Sequence, residues 1–197
     1  MIKEVEMYCR NLLHTTRCKT LPFHNLTHTE EVVLHVNHIC NAMDVDQKDK
    51  ELVITAAWFH DTGFSKTYKG HEEESKNIAI QFLSELGTEE EVIKNICVCI
   101  EATKIPQTPT TTLAEILCDA DIFHISTPHF YYRKILLRRE WEVYCNMSMT
   151  DKEWHELNLD FLKNIHFKST YGKEILEKGK QENIKKVQQI LAYYDRE

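Results

Sequence analysis

The chain has 197 residues, 42% of them hydrophobic and 28% charged, a balance that fits one globular domain and excludes a disordered segment. A net charge of -7 with no long basic run argues against a general nucleic-acid surface, and no apolar stretch approaches the ~20 residues needed to span a bilayer. The 7 cysteines, at 9, 18, 40, 97, 99, 118 and 145, include no Cys-x-x-Cys pair and sit mostly in apolar helical patterns, so they read as small hydrophobes.

The N-terminal stretch MIKEVEMYCRNLLHTTRCK alternates charged and apolar residues at helical spacing and lacks the apolar core of a secretory signal, so a cytoplasmic protein is expected. Helices are predicted over about 2–18, 28–43, 49–62, 71–86, 88–102, 112–125, 129–146, 151–168 and 173–194. Four Thr-x-x-Glu capping boxes mark helix starts: Thr27 with Glu30, Thr88 with Glu91, Thr112 with Glu115, and Thr150 with Glu153. Gly63, Gly70 and Gly87 fall in the breaks, where C-terminal caps are expected. IPQTPTTT, residues 105–112, reads as an ordered loop, and nothing alternates with period two for long enough to need a sheet. The expectation is an all-α bundle of about nine helices in a single domain, 1–197, with the chemistry within about 20–126 and amphipathic helices 128–197 packed on it.

Within the third helical run, AAWFHDTGF (56–64) places His60 and Asp61 at the end of an apolar pattern, at positions that point to the core. Burying an imidazole beside a carboxylate costs several kcal/mol unless each is paired or coordinated, which calls for a hydrogen-bond network or a metal ion. Histidines and carboxylates recur in FHNLTHTEEVV (23–33), GHEEES (70–75) and LCDADIFH (117–124), each on a different predicted helix. Facing helices of a bundle can project such side chains inward onto one divalent ion.

A histidine opening a helix, His-Asp about 30 residues later and an aspartate about 60 residues further resembles the HD-domain superfamily of metal-dependent phosphohydrolases. The resemblance implies His28, His60, Asp61 and Asp121 as metal ligands. CDADIF offers two aspartates. Asp121-Ile-Phe-His-Ile matches the family register, and Asp119 would lie about 200° round the helix. FHNLTHT is also similar to the Tyr-His-Asn-x-x-His signature of cyclic-nucleotide phosphodiesterases within that superfamily, with Phe23 in place of the tyrosine; there the first histidine, here His24, protonates the leaving oxygen. His71, in an H-E-x-x-S context shared by several members, is implied to bind phosphate or a second metal. The superfamily's oxygenases add two histidines between His-Asp and the last aspartate, an interval where this chain has His71 alone and CVCIEATK carries Glu101 and Lys104.

Two imidazoles and two carboxylates suit Mn, Mg, Zn or Fe, and Asp61 could bridge to a second ion. Such an ion lowers the pKa of water and polarises a phosphoryl oxygen. Lys104, with Lys66 and Lys69 of SKTYKG, are the nearest cations by sequence for the developing charge, with Lys104 and His71 taken as substrate-binding and His24 and Asp61 as catalytic. The expected activity is hydrolysis of a small phosphate ester, a nucleotide as monoester or diester. The alternative is a non-catalytic HD-type nucleotide-binding or signalling module. For His24 a helix-capping or loop role, for His71 a solvated helix end and for Lys104 a plain surface position compete with these roles. No nucleic-acid or membrane partner is expected, and the sequence assigns no oligomeric state.

Overall fold

A computed structural model describes residues 1–195; the expected domain's last two residues, Arg196 and Glu197, lie outside the described residues. Its contacts cluster into two compact units, Met1–Asp121 and Ile122–Glu197. Nine α-helices and no strand occur among the described residues, which bears out the all-α reading. No described helix is long and apolar enough to cross a membrane.

The first unit is built from α1 (Ile2–Thr15), α2 (Leu26–Ala42), α3 (Gln47–Phe59), α4 (His71–Glu85), α5 (Glu90–Ala102) and α6 (Thr112–Asp121), with short 3-10 turns at Arg17–Thr20 and Thr62–Ser65. Helix α3 is the axis. Every residue from Leu52 to Phe59 is buried, because α1, α2, α4, α5 and α6 all pack against it. A helix apolar on all sides has no solvent face to keep, so it goes to the centre and carries whatever follows its last turn into the core. That places His60 and Asp61 inside the protein.

Helix starts depart from the expected capping boxes at three of four sites. Asn25, not Thr27, caps α2, its side chain accepting from the His28 N–H; Asp46 caps α3 through the N–H groups of Lys48 and Asp49. Helix α5 begins after Glu89 with no side-chain cap, and ahead of α6 the Thr111 hydroxyl accepts from Ala114 N at 3.2 Å. At α2 the Thr-x-x-Glu pattern does not tell a cap from a first-turn threonine, because a stronger capper, Asn25, lies two residues upstream of Thr27. Of the three glycines, only Gly87 ends a helix: its φ of 72° lets Gly87 and Thr88 donate to Ser84 and Leu83. Gly70 (φ 73°) instead precedes α4. The loop 105–112 is ordered as expected, buried Gln107 donating to the Cys118 carbonyl at 3.2 Å. The cysteines are all free, and five of them are buried.

The second unit holds a 3-10 turn at Phe123–Ser126, α7 (Phe130–Tyr144), α8 (Asp151–Asn164) and α9 (Glu177–Tyr194), the last entered through a π turn at Gly172–Leu176. The helices predicted to 125 and 168 therefore end early, at Asp121 and Asn164, and the Thr150–Glu153 box forms as expected. Its core gathers Ile125, Phe130, Leu162, Phe167 and Val187. Lys180, buried there, donates to the Ile165 carbonyl at 2.6 Å and pairs with Glu177 at 3.0 Å.

Candidate metal centre

The segment after α3 satisfies its own helix end. The last carbonyls of a helix lack intrahelical donors. Here His60 Nδ1 donates to the Ala57 carbonyl at 2.7 Å, and the Thr62 hydroxyl donates to the Phe59 carbonyl at 2.7 Å. A carbonyl can only accept, so the Nδ1 contact fixes a proton there and turns Nε2 toward Asp61 and Asp121. The same turn runs into Gly63, whose N–H donates to Ser75 Oγ of α4 at 2.8 Å. Any Cβ on Gly63 would lie 1.9 Å from the His71 carbonyl oxygen, so only glycine admits the first turn of α4 this close.

Three helices then deliver their ends to one point. His28 sits in the first turn of α2, held by Asn25, whose amide also donates to the carbonyls of Leu21 at 2.9 Å and Pro22 at 3.1 Å. Asp121 closes α6. Ligand atoms of His28, His60 and Asp121 all lie within 4.8 Å of one another. His28 Nε2 is 3.1 Å from Asp121 Oδ1 and 3.4 Å from Asp61 Oδ2; His60 Nε2 is 3.6 Å and 3.3 Å from the same two atoms. Ligands ~2.1 Å from one ion and ~90–109° apart are separated by roughly 3.0–3.4 Å, so the spacing fits a shared divalent cation. His60 Nε2 and Asp61 Oδ2 are buried without a hydrogen-bond partner, which a bound cation would remedy.

The electrostatics agree. Burial opposes charging of His60, but the Asp61 charge and contacts with both carboxylates raise its pKa well above the usual imidazole value, and His28 is raised by the same partners. Burial would push Asp61 and Asp121 up, yet the imidazoles hold both below the ordinary carboxylate range. Without an ion, protons on the imidazoles carry the compensating charge; a divalent cation takes over that role and releases them.

The open side is marked by exposure. Side chains of Asp121 and His71 are 21% and 19% exposed, against 3% for His28, 1% for His60 and 7% for Asp61. His71 Nδ1 lies 3.3 Å from the Tyr68 carbonyl and its Nε2 lies 3.5 Å from Asp61 Oδ1, the oxygen turned away from His28 and His60. The His24 ring stands 5.8 Å from that of His28 and 6.3 Å from that of His71. Lys66 pairs with Glu74 at 3.1 Å, and exposed Lys104 acts electrostatically on Glu73. Asp119, two residues before Asp121, is fully buried.

Residues 25–126 match the HD domain family, just over half of the chain. The chain belongs to the HD domain family. HD domains bind divalent metals, in keeping with the close His-His-Asp group. Two solved structures share the fold. A predicted HD superfamily hydrolase from an uncultured Thermotogales bacterium is 18% identical with a TM-score of 0.65, covering 98% of this chain and 92% of its own. The Lin1889 protein from Listeria innocua is 17% identical with a TM-score of 0.66, covering 96% and 95%. No curated protein matches the chain.

Residue pattern alone did not single out Asn25, Gly63, Ser75 or Phe64 as site builders. Asn25 had a readable signal, since asparagine is among the strongest N-cap residues and stands three before His28. The serine of H-E-x-x-S has its reason in the Gly63 N–H.

Proposed function

We propose that this HD domain is a metal-dependent phosphohydrolase acting on a small phosphate ester, with a nucleotide as the substrate class. The observation that carries the reading is the facing pair of buried atoms that make no hydrogen bond, His60 Nε2 and Asp61 Oδ2, beside His28 and Asp121 at ligand spacing. The hydrolase named among the structural relatives supports it by analogy.

In this reading His28, His60, Asp61 and Asp121 hold the ion, which supplies Lewis acidity toward a phosphoryl oxygen and lowers the pKa of water. Asp61 faces both ways, Oδ2 toward His28 and His60 and Oδ1 toward His71, the arrangement a second ion would use. His71 orients the phosphate, its Nδ1 occupied by the Tyr68 carbonyl and its Nε2 aimed inward. His24, its ring 5.8 Å from that of His28 and 6.3 Å from that of His71, is the group that protonates the leaving oxygen, a role worth roughly 10²–10⁴-fold in rate. Lys104, exposed just beyond α5, is assigned to the substrate as a source of positive charge.

The test strips the protein with a chelator, reloads it with Mn or Mg, and offers an aryl phosphate monoester and diester, with Asp61→Ala as control. Metal-dependent turnover lost in the variant establishes the hydrolase, and the preferred ester separates phosphatase from phosphodiesterase. Metal binding with no turnover on any phosphate or nucleotide ester returns the chain to the binding-module alternative.

A further inference from the structure

Phe64 lies between His24 and His71, the two imidazoles that the hydrolase reading sets beside the metal ligands. Its ring is buried, with 1% exposure, three residues beyond Asp61 in the 3-10 turn Thr62–Ser65. The His71 ring stacks on it at 3.8 Å between centroids and 21° between planes, and the His24 ring stacks on it at 4.3 Å and 20°. The Tyr68 ring meets Phe64 edge-on at 5.1 Å. The turn beneath is fixed by Gly63, bonded to Ser75 and pressed on the His71 carbonyl, so the phenyl ring cannot drift away from α4.

The His24 ring lies against those of Phe23, His28, Phe64, Tyr68 and His71. Stacked aromatic rings constrain one another's orientation, which an aliphatic side chain of similar volume does not. We propose that Phe64 is a positioning residue, a shared aromatic platform that sets the orientation of both His24 and His71 over the open side of the metal centre. Its kinetic consequence rests on the hydrolase reading; the orientation itself does not.

The experiment uses the full chain loaded with diamagnetic Mg or Zn. Imidazole C–H resonances are assigned by NMR with His24→Gln and His71→Gln, and turnover is measured alongside. Wild type should show both imidazoles shifted upfield by the ring current and in NOE contact with the Phe64 ring. Phe64→Leu should abolish the shift at both histidines, retain the metal, and lower kcat by roughly 10²-fold, the scale of a small misplacement. Phe64→Tyr should keep the shifts. Phe130→Leu, which truncates an equally buried ring of the second unit, sets the effect of simple destabilisation. Absence of the NOE contacts in wild type overturns the proposal even if Phe64→Leu does not fold, as do unchanged histidine shifts in a folded Phe64→Leu. So does a kcat loss no larger than that of Phe130→Leu. A wild type that binds metal without turnover defeats the hydrolase reading, while the spectra still decide whether Phe64 positions the two rings.

Discussion

Gly63 and Ser75 join the turn after His60 and Asp61 to α4 through one hydrogen bond of 2.8 Å, at a place where the glycine has no room for a side chain. The two backbones meet there: a Cβ on Gly63 would sit 1.9 Å from the His71 carbonyl oxygen and 2.7 Å from Ser75 N. Backbone atoms cannot swing aside as a side-chain tip can. Gly63→Ala is expected to destabilise the fold by roughly 2 kcal/mol or more, since α4 must shift as a body. Ser75→Ala leaves a buried N–H without its acceptor and should cost about 1–3 kcal/mol. Urea unfolding of the metal-free proteins measures both; a near-neutral Gly63→Ala would show that α4 can move away without loss.

Asn25 joins the loop ahead of α2 to the helix that carries His28. Its Oδ1 caps the His28 N–H, and its amide holds the Leu21 and Pro22 carbonyls. Asn25→Ala should cost about 1–2 kcal/mol of stability. It should also weaken metal binding, because the turn that aims His28 is no longer fixed. Asn25→Asp keeps the acceptor and loses both donors, so its stability should fall between the two. Calorimetric metal titrations beside denaturation curves check this, and unchanged metal affinity in Asn25→Ala would confine the residue to helix capping.

The aromatic and aliphatic run Leu52–Phe59 is legible in the sequence as a core helix, and with it the burial of His60 and Asp61. His28 and Asp121 are nominated by the resemblance of the His, His-Asp, Asp pattern to the HD superfamily. Contacts between distant segments are not legible in this way. Glycine after a helix looks the same whether it ends the helix, as Gly87 does, or admits another backbone, as Gly63 does. The stack of His24, Phe64 and His71 joins residues up to 47 positions apart through rings whose composition alone reads as ordinary core. Likewise the end of α6 at Asp121, four residues short of the predicted end, depends on the turn that follows and not on helix propensity.

The cluster's charges make the metal-free protein pH-sensitive in a defined direction. His28, His60 and His71 are raised above the ordinary histidine value despite burial, through contact with the carboxylates. Their contribution to stability is full below the unfolded value of about 6.5 and is lost as pH rises through the raised folded values. Asp61 and Asp121 are lowered; their contribution is present above the unfolded value of about 3.9 and is lost as pH falls through the lowered folded values. The stabilisation should therefore be greatest between about pH 4 and 6.5 and decline on the alkaline side. In chelator, the urea midpoint should fall from pH 6 to pH 9, and less so in Asp61→Asn, which removes a shared partner of all three histidines. With saturating metal the fall should vanish, since the ion replaces the protons. A midpoint that rises with pH in wild type without metal would contradict the ion-pair account.

The choice between two neighbouring aspartates can be decided by metal content. Asp121 Oδ1 lies 3.1 Å from His28 Nε2 and 3.6 Å from His60 Nε2, whereas Asp119 is fully buried two residues earlier. Asp121→Asn removes a ligand charge and leaves two imidazoles facing an amide, so affinity for Mn or Zn should drop by roughly 100-fold or more. Asp119→Asn acts on the packing of α6, so its effect should appear in the denaturation midpoint, with metal stoichiometry kept at the wild-type value. Metal analysis after chelation and reloading, with calorimetric titration of each variant, separates the two. Retention of the ion by Asp121→Asn with its loss from Asp119→Asn would exchange the assignments, and loss from both would mean that α6 must keep its native packing for any ligand at its end to reach the imidazoles.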